Sequence, residues 1–415
     1  MEAAPTRKPA VSFIFVTLVI MMLGVGLIIP VLPELVKQFK GGDVAEGSGW
    51  YGILVAVWAT MQFVASPILG ALSDRFGRRR VILIALAGSC IDYLLMGLAP
   101  NIGWLFVARA VAGATAGAMA ACNAYVADVT PPERRAQAYG MVGAAFGLGL
   151  VIGPVLGGLL GHFSLKLPFF AGAAFVAANW IYGYFVLPES LAPENRRPFS
   201  WKRANPVGAL LALRRFRGVV DLAGMYFMLT LSVTMLQAVW VLYMGYRFGW
   251  GPTEQGLSLG FYGIMAALVQ GLLVRRIIGF TGERRGLVLG LVLSSFAMVG
   301  YGTATHGWMI YAIILVGTLG GIAAPASQAL ITKHVPPTEQ GALQGTLSSL
   351  GSLTYIFGPI LAAWSFGFCI GPHAHWQVPG IAFYESAVIL ILALGLALRS
   401  FQLDDQAGAA AGATV

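Results

Sequence analysis

The sequence predicts an all-α membrane protein whose twelve transmembrane helices form two six-helix bundles. Three observations predict it. Hydrophobic residues make up 58% of the chain and charged residues 10%, against about 25% charged in ordinary soluble domains. Twelve apolar stretches are each long enough to cross a bilayer, which takes about 20 helical residues. The chain also repeats itself at an offset of 205 residues. Pro131-Pro132 returns as Pro336-Pro337, Gly140 as Gly345, Gly153-Pro154 as Gly358-Pro359, and Gly77, Arg79 and Arg80 as Gly282, Arg284 and Arg285.

The spans follow in order. The first, 10–36, comes after Arg7 and Lys8 like a signal peptide, but it is too long and lacks a small-residue cleavage site, so it reads as retained. The second, 50–72, carries Gln62, and a short glycine- and arginine-rich loop leads to the third, 80–99, with Asp92. The fourth, 103–126, carries Arg109 and Asn123, and the fifth, 136–161, is rich in glycine. The sixth, 167–188, completes a bundle over 1–188, and a polar, basic linker occupies 189–217. The second bundle, 218–399, holds spans 218–246 (Gln237, Trp240), 254–279 (Gln270), 286–304, 308–332 (Gln328), 341–364 (Gln344) and 379–398 (Glu385). The Ala/Gly-rich tail, 400–415, is expected to be disordered.

A net charge of +9 invites a nucleic-acid reading, but the distribution excludes it. With the N-terminus inside, 21 of the 26 Lys and Arg residues fall in inside segments, four outside (Lys37, Lys40, Lys166, Arg247), and Arg109 within a span. This is the positive-inside rule, and it places both termini in the cytoplasm. Cys90, Cys122 and Cys369 lie in apolar spans without metal or redox spacing and read as packing residues.

Charges inside the spans are the sharpest candidates for function, because an ionisable group in hydrocarbon is costly. Asp92 and Arg109 sit at similar depth on consecutive antiparallel helices, so a direct or water-mediated pair is expected. Glu385 lies about six residues, roughly 9 Å, from the outer end of the last span. Gln62, Asn123, Gln237, Trp240, Gln270 and Gln328 are candidates for lining a substrate route, although amides also serve as interhelical glue. Between spans 2 and 3, Asp74 can accept from Arg75 or Arg78 or face a helix N-terminus, while Gly70 and Gly77 permit a tight turn. In the fifth span Gly140, Gly149, Gly153, Pro154, Gly157 and Gly158 read G-x8-G-x3-GP-x2-GG, poor helix chemistry unless backbones pack closely.

That fifth-span pattern resembles the motif of proton-coupled drug antiporters in the major facilitator superfamily. The loop Gly70, Asp74, Arg75, Gly77, Arg78, Arg79, Arg80 resembles the superfamily's G-x3-D-R-x-G-R-R signature, and Arg109 with Gly113 resembles its fourth-helix R-x3-G motif. The strings Gly26-Leu-Ile-Ile-Pro30-Val-Leu-Pro33, Ile91-Asp92-Tyr93-Leu94, Pro188-Glu189-Ser190 and Gly341-Ala-Leu-Gln344-Gly345 narrow the likeness to bacterial tetracycline efflux proteins. The resemblance implies the major facilitator fold, the loop as a conformational latch and a part for Arg109 in proton transfer. By position within the spans Asp92 is the best-placed carboxylate to carry the proton and Glu385 the second, a structural ion pair being the alternative for Asp92. Met21, Ser294 and Ala266 stand where the better-known tetracycline antiporters carry Asp, Asp and His. Substrate and coupling stoichiometry therefore stay open. The second-half echo of the loop has Gly279 in place of Asp74, so any latch is asymmetric.

The expected activity is export of an amphipathic drug, tetracycline-like or other, in exchange for protons by alternating access. The alternative is a proton-coupled metabolite carrier for a sugar or nucleoside. Enzyme and signalling readings lack any HExxH helix, zinc spacing, phosphate loop or soluble domain, so no cofactor or metal is expected. The implied setting is a bacterial cytoplasmic (inner) membrane, with a monomer as the family expectation and no nucleic-acid partner.

Overall fold

The computed structural model describes residues 11–116, 118–131, 134–199, 220–336, 339–371 and 377–412. Arg7, Lys8, Pro132, Pro337, the linker residues 200–217 and the last three residues of the tail lie outside them. Sixteen α-helices are named here in chain order. They are α1 (Val11–Ile28), α2 (Leu32–Phe39), α3 (Val44–Phe76), α4 (Arg78–Leu98), α5 (Ile102–Ala116), α6 (Ala118–Val129), α7 (Arg135–Phe163) and α8 (Leu167–Val186). After a 3-10 turn at Pro193–Asn195 come α9 (Val220–Phe248), α10 (Pro252–Leu268), α11 (Val274–Thr281), α12 (Glu283–Thr303), α13 (Gly307–Gly320), α14 (Ala323–Lys333), α15 (Gln340–Ile370) and α16 (Ile381–Gly412). Twelve helical segments among the described residues are long and apolar enough to cross a membrane, in the order the sequence predicts.

Several spans are broken helices. The first turns aside after Ile28, where Pro30 cannot donate to the ladder, and resumes as α2. The eighth passes through a π-helical turn, Val269–Leu273, between α10 and α11. The tenth breaks between Gly320 and Ala323, where α14 begins. The backbone of that break is crowded: a β-carbon on Gly290 of α12 would stand 2.6 Å from the Ala323 nitrogen.

The described residues divide into two compact units. The first takes those within Met1–Asp43, Ile53–Pro206 and Trp250–Gly260. Its principal packings are α1 on α7 and α8, and α4 on α5, α6 and α8. The α1–α7 pair depends on missing side chains. A β-carbon on Gly153 would lie 2.7 Å from the Gly26 Cα and the Leu23 carbonyl oxygen, and one on Gly149 2.7 Å from the Leu23 nitrogen. Gly157 meets the Leu27 backbone in the same way, whereas Gly158 faces Pro252 and Gly256 at the start of α10. Two backbones in contact along three turns gain dispersion energy that lipid cannot supply. Between α1 and α8, Thr17 donates to Asn179 Oδ1 at 3.2 Å, and both residues are buried.

The second unit takes the described residues within Val44–Gly52, Val207–Gly249 and Phe261–Val415. Here α9 packs on α15 and α16, and α12 on α13, α14 and α16. The internal repeat is visible in the backbone. Gly77 and Gly282 both adopt positive φ, 100° and 76°, and each joins two spans as a single-residue turn. Gly358, the echo of Gly153, lies against Thr234 of α9 as Gly153 lies against α1. Tyr243, Tyr301 and Phe383 form the unit's aromatic core, with Tyr243 and Phe383 edge to face at 4.8 Å.

One expectation is corrected. The tail from residue 400 is not a disordered segment but the continuation of α16 as far as Gly412. Alanine is the best helix former, and the first turns of the tail are anchored. Arg284 Nη1 donates to Asp405 at 2.6 Å and Nη2 to Asp404 at 3.1 Å. The unit boundaries also differ from the sequence division, since the first nine residues of α3 cluster with the second unit. Gly52 lies there against Pro359 and Ala363.

The α1–α7 contact yields a paired prediction. Gly153→Ala must force the α1 and α7 backbones apart and should destabilise by about 1–3 kcal/mol. Gly140→Ala has nothing within 4 Å to meet and should be neutral or stabilising by up to about 1 kcal/mol. Thermal unfolding of the purified proteins in detergent should give a lowered midpoint for the first change only.

Candidate functional site

The loop between α3 and α4 is a single residue, Gly77, whose φ of 100° is a left-handed conformation that glycine adopts without strain. A β-carbon there would also run into the carboxylate of Glu189. That carboxylate sits at the N-terminus of α4, where free amides and the helix dipole favour negative charge. It accepts from the Arg78 amide at 2.8 Å and from the amides of Ser190 and Leu191 at 3.1 and 3.2 Å. The Arg78 side chain then gathers the loop. Its Nη1 donates to Asp74 and, at 2.6 Å, to Ser73 Oγ, and its Nε donates to Asp128 Oδ2 at 3.2 Å. Ser190 Oγ closes the chain by donating to Asp128 at 3.1 Å.

The structure thus chooses between the partners the sequence left open for Asp74. Arg78 is the partner, whereas the Arg75 guanidinium lies over the Phe76 ring at 5.0 Å. Arg79 donates to the Tyr184 carbonyl at 2.6 Å and lies over its ring at 5.8 Å. Gly70 has nothing within 4 Å of its missing β-carbon. Asp128 and Glu189 were missed as members. The available signal was position, since each is a carboxylate at the basic end of a span, where arginines collect.

In the interior of the same unit, α4 and α5 run antiparallel after a short connection at 99–101 and bring Asp92 and Arg109 together. Arg109 Nη2 donates to both Asp92 oxygens at 3.0 and 2.9 Å, and Met96 Sδ lies 3.1 Å away. Asp92 is 3% exposed and Arg109 6%. Arg109 Nε has no hydrogen-bond partner among the described residues. A pair this buried is held by mutual attraction against a large desolvation cost. One turn beyond Arg109, Gly113 lets α5 touch α3, because a β-carbon there would meet the Trp58 backbone and, at 2.7 Å, Met61 Cβ. Gln62 follows in that segment of α3, half-buried.

The remaining candidates are dispersed. Glu385 accepts from Ser365 Oγ at 2.8 Å, joining α16 to α15. Asn123 is half-buried on α6, whereas Gln237, Gln270 and Gln328 are exposed on α9, the π-helical turn and α14. Trp240 departs from the expectation of a lining residue. It is 3% exposed, and the edge of its ring packs on Tyr301 with centroids 5.1 Å apart, which places it in the aromatic core. No group of three or more His, Cys, Asp or Glu among the described residues is arranged to hold a metal ion.

Twelve apolar spans, a repeated half, a buried ion pair on consecutive helices and a charged one-residue loop define a membrane transporter rather than an enzyme. The chain belongs to the Major Facilitator Superfamily, whose sequence profile matches residues 14–220 and 222–412. It is 40% identical to the class C tetracycline resistance protein of Escherichia coli, over 85% of this chain and 88% of that protein. It is 33% identical to the class B protein of Escherichia coli over 93% and 94%, and 30% identical to multidrug resistance protein 2 of Bacillus subtilis (strain 168) over 91% of each. Among solved structures it shares its fold with the human organic anion transporter MFSD10 (TETRAN), at a TM-score of 0.69 and 24% identity, covering 95% of this chain and all of that one. The nucleoside transporter NupG is similar at a TM-score of 0.73 and 11% identity, over 94% and 98%.

Removing one member of the buried pair strands the other. Asp92→Asn and Arg109→Gln should each lower stability by about 3–5 kcal/mol. The double substitution should cost less than their sum, because the two residues touch. Unfolding midpoints of the three variants check this, and additive losses would mean the pair is not coupled.

Proposed function

We propose that the protein exports an amphipathic drug, tetracycline or a related compound, in exchange for protons. The observation that carries this reading is the Asp92–Arg109 pair, a dry carboxylate bound to a single guanidinium nitrogen, in a chain similar along most of its length to tetracycline resistance proteins. A proton carrier needs a carboxylate that ionises in one stage of the cycle and is neutral in another. Protonating Asp92 removes the charge that holds Arg109 and frees the guanidinium for another partner. Glu385, held by Ser365, is a second carboxylate suited to the same task.

The charged loop supports alternating access. Asp74, Arg78, Asp128 and Glu189 tie the α3–α4 turn to the ends of α6 and α8, and exposing that cluster to a different environment breaks several charge-assisted bonds together. Gln62 and Asn123, half-buried in the first unit, are the amides we assign to substrate contact. The setting we favour is a bacterial inner membrane with both termini in the cytoplasm, on the strength of the 21 of 26 basic residues that collect on one side, and with the chain acting as a monomer.

The test uses inverted vesicles with an acid interior. Adding tetracycline should release protons in wild type and fail to do so in Asp92→Asn, with protein levels matched. Silence toward tetracycline and a response to other amphipathic drugs would keep the exchange and discard tetracycline. Wild-type protein, well folded, that moves no protons with any drug would overturn drug export in favour of a metabolite carrier.

A further inference from the structure

Arg284 and Arg285 echo Arg79 and Arg80 of the first half, yet the second loop has lost its aspartate. Arg79 donates to the Tyr184 carbonyl, whereas its counterpart Arg284 is paired with acids from another helix. Asp404 and Asp405 at the end of α16 take its guanidinium, which also lies over the Phe401 ring at 5.0 Å. His334 Nε2 lies 3.3 Å from Asp404, and Lys333 pairs with Glu283 at 2.6 Å. The two aspartates are thus matched by neighbouring basic groups. Arg285, the next residue, is exposed and makes no ion pair among the described residues.

Beside Arg285 a groove of about 360 Å³ runs along α12, lined by Arg284, Arg285, Val288, Leu289, Val292 and Phe401. Its register is that of one helix face: the two arginines occupy the first turn of a membrane span, and the valines and leucine the next two. From Arg285 to Val292 is about 10 Å along the axis. A cation at the interfacial end of a span, above an apolar furrow descending into it, is complementary to a molecule with an anionic head and an aliphatic body.

We infer that this groove binds an anionic phospholipid, whose phosphate pairs with Arg285 and whose acyl chain lies along Val288, Leu289 and Val292. A zwitterionic lipid would bring its own cation to Arg285 and lose the advantage, and a free phosphate would leave the apolar wall uncovered. The Arg284–Asp404–Asp405 cluster sets the groove's geometry by fixing Phe401 and the end of α16 as its far wall. Basic recesses between transmembrane helices are suited to anionic head groups, and each basic side chain at the surface contributes about a five-fold preference.

Native mass spectrometry of the purified full-length protein, titrated with dioleoyl phosphatidylglycerol or dioleoyl phosphatidylcholine, tests the site. Wild type should retain phosphatidylglycerol about five-fold better than phosphatidylcholine. Arg285→Gln should abolish that preference, and Leu289→Trp, which fills the furrow without changing charge, should reduce the occupancy of phosphatidylglycerol. Arg276→Gln, a basic residue outside the groove, should leave the preference intact. Equal retention of the two lipids by wild type, loss of preference in Arg276→Gln as large as in Arg285→Gln, no effect of Leu289→Trp, or displacement of phosphatidylglycerol by millimolar inorganic phosphate would each overturn the inference. Unfolding midpoints measured on the same samples separate loss of the site from loss of the fold.

Discussion

Everything in the first unit is hung on a contact between two backbones. A helix in lipid gains nothing by hiding leucine from a solvent that is itself hydrocarbon, so α1 and α7 must find another reason to stay together. They find it at Gly149, Gly153 and Gly157, where the missing β-carbons let one backbone lie on another. With that pair fixed, α8 packs on α1 and α4 on α8. The position of α4 in turn sets where Asp92 meets Arg109. The second unit repeats the device more loosely, with Gly358 against Thr234 in place of glycine against glycine. Helical stability is sacrificed at each such position, a loss tolerable because backbone amides within a membrane have no water to defect to.

Electrostatics then divides into two regimes along the same helix. At the first turn of α4 the Arg78 cluster is only partly buried and its partners are many: two aspartates, a serine and, through the backbone, a glutamate. Such a cluster can exchange partners at modest cost. About four turns further along α4, Asp92 and Arg109 are bound chiefly to each other. Their attraction is strong because the surroundings are dry, and for the same reason a change of protonation there is a large perturbation. One helix thereby connects a permissive charged end to an intolerant charged middle.

The spans, their order and the repeat were legible because hydropathy and glycine spacing are properties of neighbouring residues in sequence. What needed a third dimension was not. Asp74 had two arginines within reach, and only the turn at Gly77 decides for Arg78. Asp128 and Glu189 are far from the loop in sequence, and only the packing of the helices brings them to the start of α4. Trp240 was read by type as a lining residue, whereas its neighbour Tyr301, far away in sequence and itself against Phe383, makes it core. The π-helical turn at Val269–Leu273 has no local signature at all. The tail misled through composition: Ala and Gly together read as low complexity, yet alanine favours helix, and the two aspartates that tie the tail down were outnumbered by residues that say nothing.

The two halves have therefore kept a backbone and diverged in chemistry. Gly77 and Gly282 make the same turn, but different arginines hold it, Arg78 in the first half and Arg284 in the second, and they are answered from different places. In the first half the acids come from α3, α6 and the segment after α8. In the second they come from the chain's own last helix. The second half lacks both members of the Asp74–Arg78 pair, since Gly279 and Glu283 stand in their places, and its turn is held instead through Arg284. Drawing the acids for Arg284 from α16 couples the tail to the loop, so that the C-terminal extension becomes a structural member of the second unit. Arg285 makes no ion pair among the described residues. A basic side chain left over at a membrane boundary turns naturally toward the bilayer, whose anionic lipids present the one plentiful negative charge at that depth.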